Sequence, residues 1–308
     1  MKLRSKLLLS ATCLLTISVA ATATSAYAWF VSNRQATVAI NSATVKTNAT
    51  NLKIAGVTPT ADDTASFVTT ATAGDITGTV KSNIKATDIS GDGVNFFKPK
   101  LAPDFTTSYK ATSISTASNS GSVYYYHQFK LEFSQDNADV NTGVFLSSDS
   151  SVLLTTAVDG KNNVGLSLCT RVAFLDSTGA LLRYWAPNRT YDVNTNTGDA
   201  NKSYIKAAYS KATPVSIKDG DTSEVLQSVS ATGSTIKDKS IYGKPTDVND
   251  ATLNKKTQKE YLLTLAGTAK QTITVRIWFE GMDSACDSAY LKQTIDANLK
   301  FNGVNMDI

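Results

Sequence analysis

Between Val123 and Phe133 the chain alternates strictly, with Tyr125, His127, Phe129, Leu131 and Phe133 on one parity and Tyr124, Tyr126, Gln128, Lys130 and Glu132 on the other. Apolar residues at every second position share a face only when the backbone is extended, because successive side chains of a strand point to opposite sides. The rhythm returns at Ile273, Val275, Ile277 and Phe279, with Arg276, Trp278 and Glu280 facing away, and again at Tyr261, Leu263 and Leu265. No long run with a helical period competes with it, so the chain is constrained to build its core from strands.

The remaining strands are shorter. Ala36, Val38 and Ile40 share one parity, and Leu52-Lys53-Ile54 repeats the alternation. Residues 58–88 are rich in Thr, Ala, Asp and Gly, with isolated apolar points at Phe67, Val68, Ile76, Val80 and Ile84, and read as weak strand and loop. Ser90-Gly91-Asp92-Gly93 is a turn signal that sends Val94, Phe96 and Phe97 into the core ahead of Pro99. Val144-Phe145-Leu146 and Val152-Leu153-Leu154 read as strand, turn, strand.

From Val164 to Phe174 the pattern puts Val164, Leu166, Leu168, Val172 and Phe174 on one side and Ser167, Cys169 and Arg171 on the other. Asp176-Ser177-Thr178-Gly179 then turns the chain into Leu181–Trp185, a hairpin stopped by Pro187. Residues 188–258 are polar and read as an insertion on a framework that resumes at Glu260. Leu291, Ile295, Leu299 and Phe301 fit a short helix or turn leading into a final strand. Many strands, Gly/Asn/Asp turns and no βαβ rhythm predict an all-β fold, an antiparallel jelly-roll-like β-sandwich with long polar insertions and little helix.

The first 28 residues are of another kind. Lys2, Arg4 and Lys6 precede an apolar run from Leu7 to Ala20, and Ala26-Tyr27-Ala28 is a small-x-small cleavage site, so a secretory signal peptide over residues 1–28 is predicted, cut before Trp29. The apolar run is shorter than the ~20 residues a spanning helix needs. A single sandwich domain over residues 29–308, carrying the polar insertion near 188–258, then accounts for the rest. The signal holds three basic and no acidic side chains, so the formal charge of +4 falls to +1 on cleavage and gives no reason to expect a nucleic-acid partner. Cys169 and Cys286 are the cysteines outside the signal; in an oxidising exterior they either pair as one disulfide or stand as two separate buried thiols.

Catalytic templates fail on particular residues. There is no His-Glu-x-x-His, Gly-x-Ser-x-Gly or P-loop, and Gly165-Leu166-Ser167-Leu168-Cys169 lacks the second glycine of a nucleophile elbow. His127 is the chain's one histidine and lies on an apolar parity, as a core histidine does. No enzyme activity is expected, and no cofactor.

Calcium is the inorganic candidate. Asp192, Asn194 and Asn196 have the spacing of calcium-loop ligands, but Thr197 stands where the turn glycine belongs and Ser203 where the bidentate glutamate belongs. Glu280, Asp283 and Asp287 form a second acidic group that reads as solvated loop before cation site. Tyr124, Tyr126, Trp185 and Trp278 fall on outer or edge positions, where they either stack on sugars or pack against a second layer.

At the export junction, Ala26-Tyr27-Ala28-Trp29-Phe30-Val31-Ser32-Asn33 resembles the SipW-type processing region of Gram-positive secreted proteins of the TasA and camelysin group, and Arg34–Val38 is similar to the first mature strand there. Val275–Asp283 with Cys286, Phe301-Asn302-Gly303, Arg171–Phe174 and Tyr184–Pro187 resemble stretches of large Firmicute proteins with the same signal type. The resemblance touches about half the chain and leaves out 188–258. It implies a jelly-roll subunit of an extracellular fibre, biofilm matrix or surface layer.

In such a subunit, an N-terminal strand with Trp29, Phe30, Ala36, Val38 and Ile40 on its apolar side would complete a neighbour's sheet. The expected partners are further copies of the chain, other matrix proteins or cell-surface glycans, and a signal peptidase during export. The alternative is a monomeric secreted module that binds carbohydrate or a cell surface.

Overall fold

The computed structural model describes residues 35–46, 52–57, 69–72, 84–85, 89–101, 109–114, 124–189, 239–281 and 293–307, together with Phe67, Asp283, Ala285 and Cys286. All lie in one compact unit, Gln35–Ile308. The signal segment, with Ala26, Ala28, Trp29 and Phe30, and most of the polar insertion are outside the described residues.

Among the described residues sixteen strands run in chain order: β1 Gln35–Lys46, β2 Leu52–Val57, β3 Thr70–Thr72, β4 Ile84–Lys85, β5 Ser90–Gly91, β6 Phe96–Leu101, β7 Tyr109–Ile114, β8 Tyr126–Gln135, β9 Asn141–Leu146, β10 Ser151–Leu154, β11 Thr170–Leu175, β12 Leu181–Ala186, β13 Ser240–Tyr242, β14 Tyr261–Ala266, β15 Gln271–Phe279 and β16 Thr294–Asn305. One short helix, α1 Leu166–Cys169, and a 3-10 turn at Lys255–Thr257 lie among the described residues.

The strands form two large sheets. One has the order β13-β12-β11-β15-β8-β2. The other runs β14-β9-β16-β1-β3, with β10 also on β16 and β4 on β1, and β5-β6-β7 makes a small third sheet. The two large sheets face one another across a shared core, in which Phe133 and Phe174 of the first meet Phe301 of the second edge-on, at ring separations of 5.0 and 6.1 Å. The architecture is sandwich-like and mostly β.

The period-two reading of β8 and β15 holds: His127, Phe129, Leu131 and Phe133 are buried, and so are Ile273, Val275, Ile277 and Phe279. The hairpin β11–β12 is also as expected, with Leu175 opposite Leu181 and Asp176 Oδ1 accepting from Thr178 N (2.8 Å) and Ala180 N (2.9 Å) while Gly179 takes a φ of 87°. Asp92 is a turn residue, its Oδ1 accepting from Val94 N at 2.8 Å and Asn95 N at 2.5 Å. Val94 itself stays exposed, while Phe96 is buried. Pro99 lies within β6, opposite Ala111 of β7 and beyond the two-residue reach of β5.

Five stretches depart from the expected pattern. Leu166–Cys169 is a helical turn that brings Leu166 and Cys169 inward together, one turn apart, so the alternation from Val164 holds only from Thr170 onward. β10 does not fold back on β9. Both run antiparallel to β16 along the same edge, and the Ser147–Ser150 segment bulges out between them, tied to Lys300 through Ser147 N and Ser150 Oγ.

In β14 a register shift between Tyr261 and Leu263 turns Leu262 inward, so Leu262 and Leu265 are buried in place of the expected Leu263 face. Ile295, Leu299 and Phe301 belong to a twelve-residue strand with Ala297 filling the gap, not to a helix or turn. Within the polar stretch, strand pairing already resumes at Ser240, where β13 lies parallel to β12.

Candidate functional site

β1 is held in the interior of its sheet. It lies parallel to β16 from Thr37↔Thr294 to Lys46↔Asn302, with Asn41 bulged out between Ile40↔Ala297 and Ser42↔Asn298. The bulge answers a slip in the sequence: apolar residues sit at even numbers through Val38 and Ile40, then at odd numbers in Ala43 and Val45. One extra residue restores the phase, so Val38, Ile40, Ala43 and Val45 pair with Ile295, Ala297, Leu299 and Phe301, which are fully buried.

On its other flank β1 is bonded to β4 at Gln35 and Ala36 and to β3 at Ser42–Thr44. Between them Thr37–Asn41 has no strand partner on that side among the described residues. Of the expected assembly strand, Ala36 is therefore placed in the β4 ladder, opposite Ile84, and Val38 and Ile40 in the β16 ladder, opposite Ile295 and Ala297.

A second constellation lies at the end of β15. Glu280 and Asp283, expected as solvated loop, are both fully buried. Charge at that depth needs a partner, and Asp283 has two: Arg171 Nη2 donates to Oδ2 at 3.0 Å, Arg189 Nε donates to the same oxygen at 3.0 Å, and Arg189 Nη2 donates to Oδ1. Ala285 N adds a bond to Oδ1 at 2.9 Å, and Trp278 Nε1 points to Glu280 Oε2 at 3.5 Å. Guanidiniums thus occupy the place a cation would take around Asp283. Asp287 and the calcium-loop candidates Asp192, Asn194, Asn196, Thr197 and Ser203 are outside the described residues, among which no group of three His, Cys, Asp or Glu is positioned to hold a metal.

The two cysteines meet beside this ion cluster. Cys169, at the end of α1, is fully buried and Cys286 nearly so, and both carry free thiols. Burial pushes the Cys169 thiol well above the usual thiol range, and its Sγ donates to Leu166 O at 3.3 Å.

Neither His127 nor Ser167 is presented for catalysis. His127 is buried on β8, and desolvation lowers its pKa from 6.5 to about 4. Ser167 is buried and donates its Oγ hydrogen to Val164 O at 2.8 Å.

Three of the four aromatics weighed as sugar platforms are buried: Tyr126, Trp185 and Trp278, with Tyr124 half-buried. The small third sheet covers the outer parity of β8 and β15, stacking Phe96 on Tyr126 at 4.3 Å and edge-on to Trp278 at 5.1 Å. Arg276 pins that cover by donating to Gly93 O (3.0 Å) and Val94 O (2.8 Å). Packing against another layer, the second use foreseen for these rings, is what Tyr126 and Trp278 do, and Trp185 is packed in the core between the large sheets. An open cleft of about 370 Å³ lies between Ser148, Ser150, Val152, Trp185, Asn188 and Lys244.

The geometry defines a mostly-β, sandwich-like protein with the first described strand in the interior of one sheet and a buried thiol and ion cluster at the end of the other. Compared with known proteins, the chain matches no family model, no curated protein and no solved structure.

Proposed function

We propose that the chain is an exported structural protein of the TasA-like kind, a jelly-roll-like subunit that builds an extracellular fibre, biofilm matrix or surface layer by exchange of its N-terminal strand. The observation that carries this reading is the seat of β1. Once the signal is removed, β1 is a chain-terminal strand bound in parallel to β16, and parallel pairing is slightly weaker per residue than antiparallel. A strand leaving this seat would bare one edge of β16 beside a buried row of Ile295, Ala297, Leu299 and Phe301. The same strand from a neighbouring copy restores every lost bond, so exchange changes the partner and not the contacts. Repeated head to tail, it gives a filament.

The experiment is a deletion of Trp29–Ile40 from the mature protein, which removes the half of β1 that precedes the bulge, followed by electron microscopy and size-exclusion chromatography. Polymer formation should be lost while the β signal in circular dichroism is retained. Fibres from the truncated chain, or a monodisperse monomer from the intact chain at high concentration, overturn strand exchange.

A further inference from the structure

We propose that Cys169 and Cys286 are joined by a disulfide in the exported protein, and that the Arg171–Asp283–Arg189 ion cluster is the template that aligns the two sulfurs. The thiols come from distant parts of the chain, one at the end of α1 and one in the loop that follows β15, yet both lie buried in one core cluster of the folded protein. Their backbones are positioned by the same contacts. Glu280 N donates to Cys169 O at 2.7 Å, and Cys286 N donates to Asp283 O at 2.9 Å. Arg171 stands two residues after Cys169 and grips Asp283, three residues before Cys286. Arg189 closes the cluster from the far side of the carboxylate. An ion pair with both side chains fully buried has little freedom to shift, so the segment carrying Cys286 is held against Cys169.

The step requires an acceptor, which we assign by class to a disulfide outside the cytoplasm: a small-molecule disulfide or that of a thiol oxidoreductase. Its S–S bond takes the two electrons and two protons released as Cys169 and Cys286 form theirs, and it leaves as two thiols. Cys286, the less deeply buried of the pair, forms the mixed disulfide, and Cys169 displaces the leaving thiol. Burial disfavours the Cys169 thiolate that this displacement needs, so the bond closes while β15 docks on β11 and is thereafter shielded from reductant. The result is a covalent clasp around the segment from β11 to β15, of the long-loop kind that constrains an unfolded chain most.

The mature chain, folded in a buffer of oxidised and reduced glutathione, is unfolded without reductant in the presence of iodoacetamide and examined by mass spectrometry. The proposal expects no alkylation, a mass lighter by two hydrogens than the reduced chain, and a linked peptide pair containing Cys169 and Cys286. Two alkylated thiols, or glutathione carried separately on each, overturn it.

Asp283→Asn tests the template: the glutathione ratio at half-oxidation should shift by about a hundredfold toward oxidant, the scale on which a broken buried ion pair acts. An unchanged midpoint removes the template role and leaves the disulfide standing. Should Asp283→Asn not fold, Arg189→Lys, which keeps the charge and loses the two-point grip, is read in the same way, with a smaller shift in the same direction expected. These outcomes are independent of polymer formation, so a failure here and a failure of strand exchange are told apart.

Discussion

Replacing His127 with leucine should flatten the dependence of stability on pH in a defined window. His127 sits on β8 opposite Ile277 of β15, and its imidazole is 1% exposed. Protonation there would place a cation in the core, so the folded protein takes up the proton only near pH 4, whereas the unfolded chain takes it up near 6.5. Above 6.5 both states are neutral and the group contributes no slope. Between 6.5 and about 4 the unfolded state holds the extra proton, so stability falls as the pH falls; below about 4 both states are protonated and this contribution levels off.

A gap from 6.5 to about 4, at roughly 1.4 kcal/mol per pH unit, amounts to about 3 kcal/mol lost across the window. Asp176, Asp247 and Asp307 are held below the ordinary carboxylate value of 3.8 by hydrogen bonds, chiefly from Thr178, Ser148 and Asn141 respectively, so the stability they add is lost at still lower pH. Urea melts of the parent and of His127→Leu at pH values from above 6.5 down to about 4 separate the two effects. Loss of any bond the imidazole makes would offset the whole leucine curve by a constant, so the slope is the readout. A variant with the same slope as the parent would refute a buried, neutral histidine.

The mature protein should also respond to a core truncation. Phe129, 1% exposed and opposite Val275, should cost about 3–5 kcal/mol when replaced by alanine, with a loss below about 1 kcal/mol in a denaturant melt showing that the ring is not in the core. Gly93 has a φ of 86°, and a Cβ there would overlap that of Ala173. Gly93→Ala should therefore cost about 2–4 kcal/mol, and a thermal midpoint equal to that of the parent would show that the turn is free to move.

Sequence pattern was most informative where one face of a strand is buried and the other is not. β8 and β15 were legible because polar residues alternate with their apolar ones. Tyr126 and Trp278 take the outer parity as read, and the choice between their two uses is made by a covering sheet that a different part of the chain supplies. Leu291, Ile295 and Leu299 are four apart, a spacing that suits a helix and a strand alike, and Ala297 adds too little hydrophobicity to decide between them. Leu262 was missed because a bulge inverts parity without leaving any mark of its own in composition.

The ion cluster was illegible for another reason: Asp283 and its two arginines are 112 and 94 positions apart. A carboxylate after a strand reads as loop until the guanidiniums that neutralise it are brought alongside by the fold. Cys169 and Cys286 could be counted from the sequence, but their meeting depends on that same convergence.

The seat of β1 joins the legible and the illegible parts. A strand with an even-parity apolar row that switches to odd parity after Ile40 cannot lie flat on a regular neighbour, because half of its apolar residues would turn to the wrong face. The bulge at Asn41 removes that conflict at one place only, and it does so against a β16 whose buried residues keep strict alternation from Ile295 to Phe301. A foreign strand without the same slip would match one half of this seat and miss the other. The β1 of another copy would match both, so on the proposed reading the bulge that fits the strand to its own sheet is also what would select the chain as its own partner.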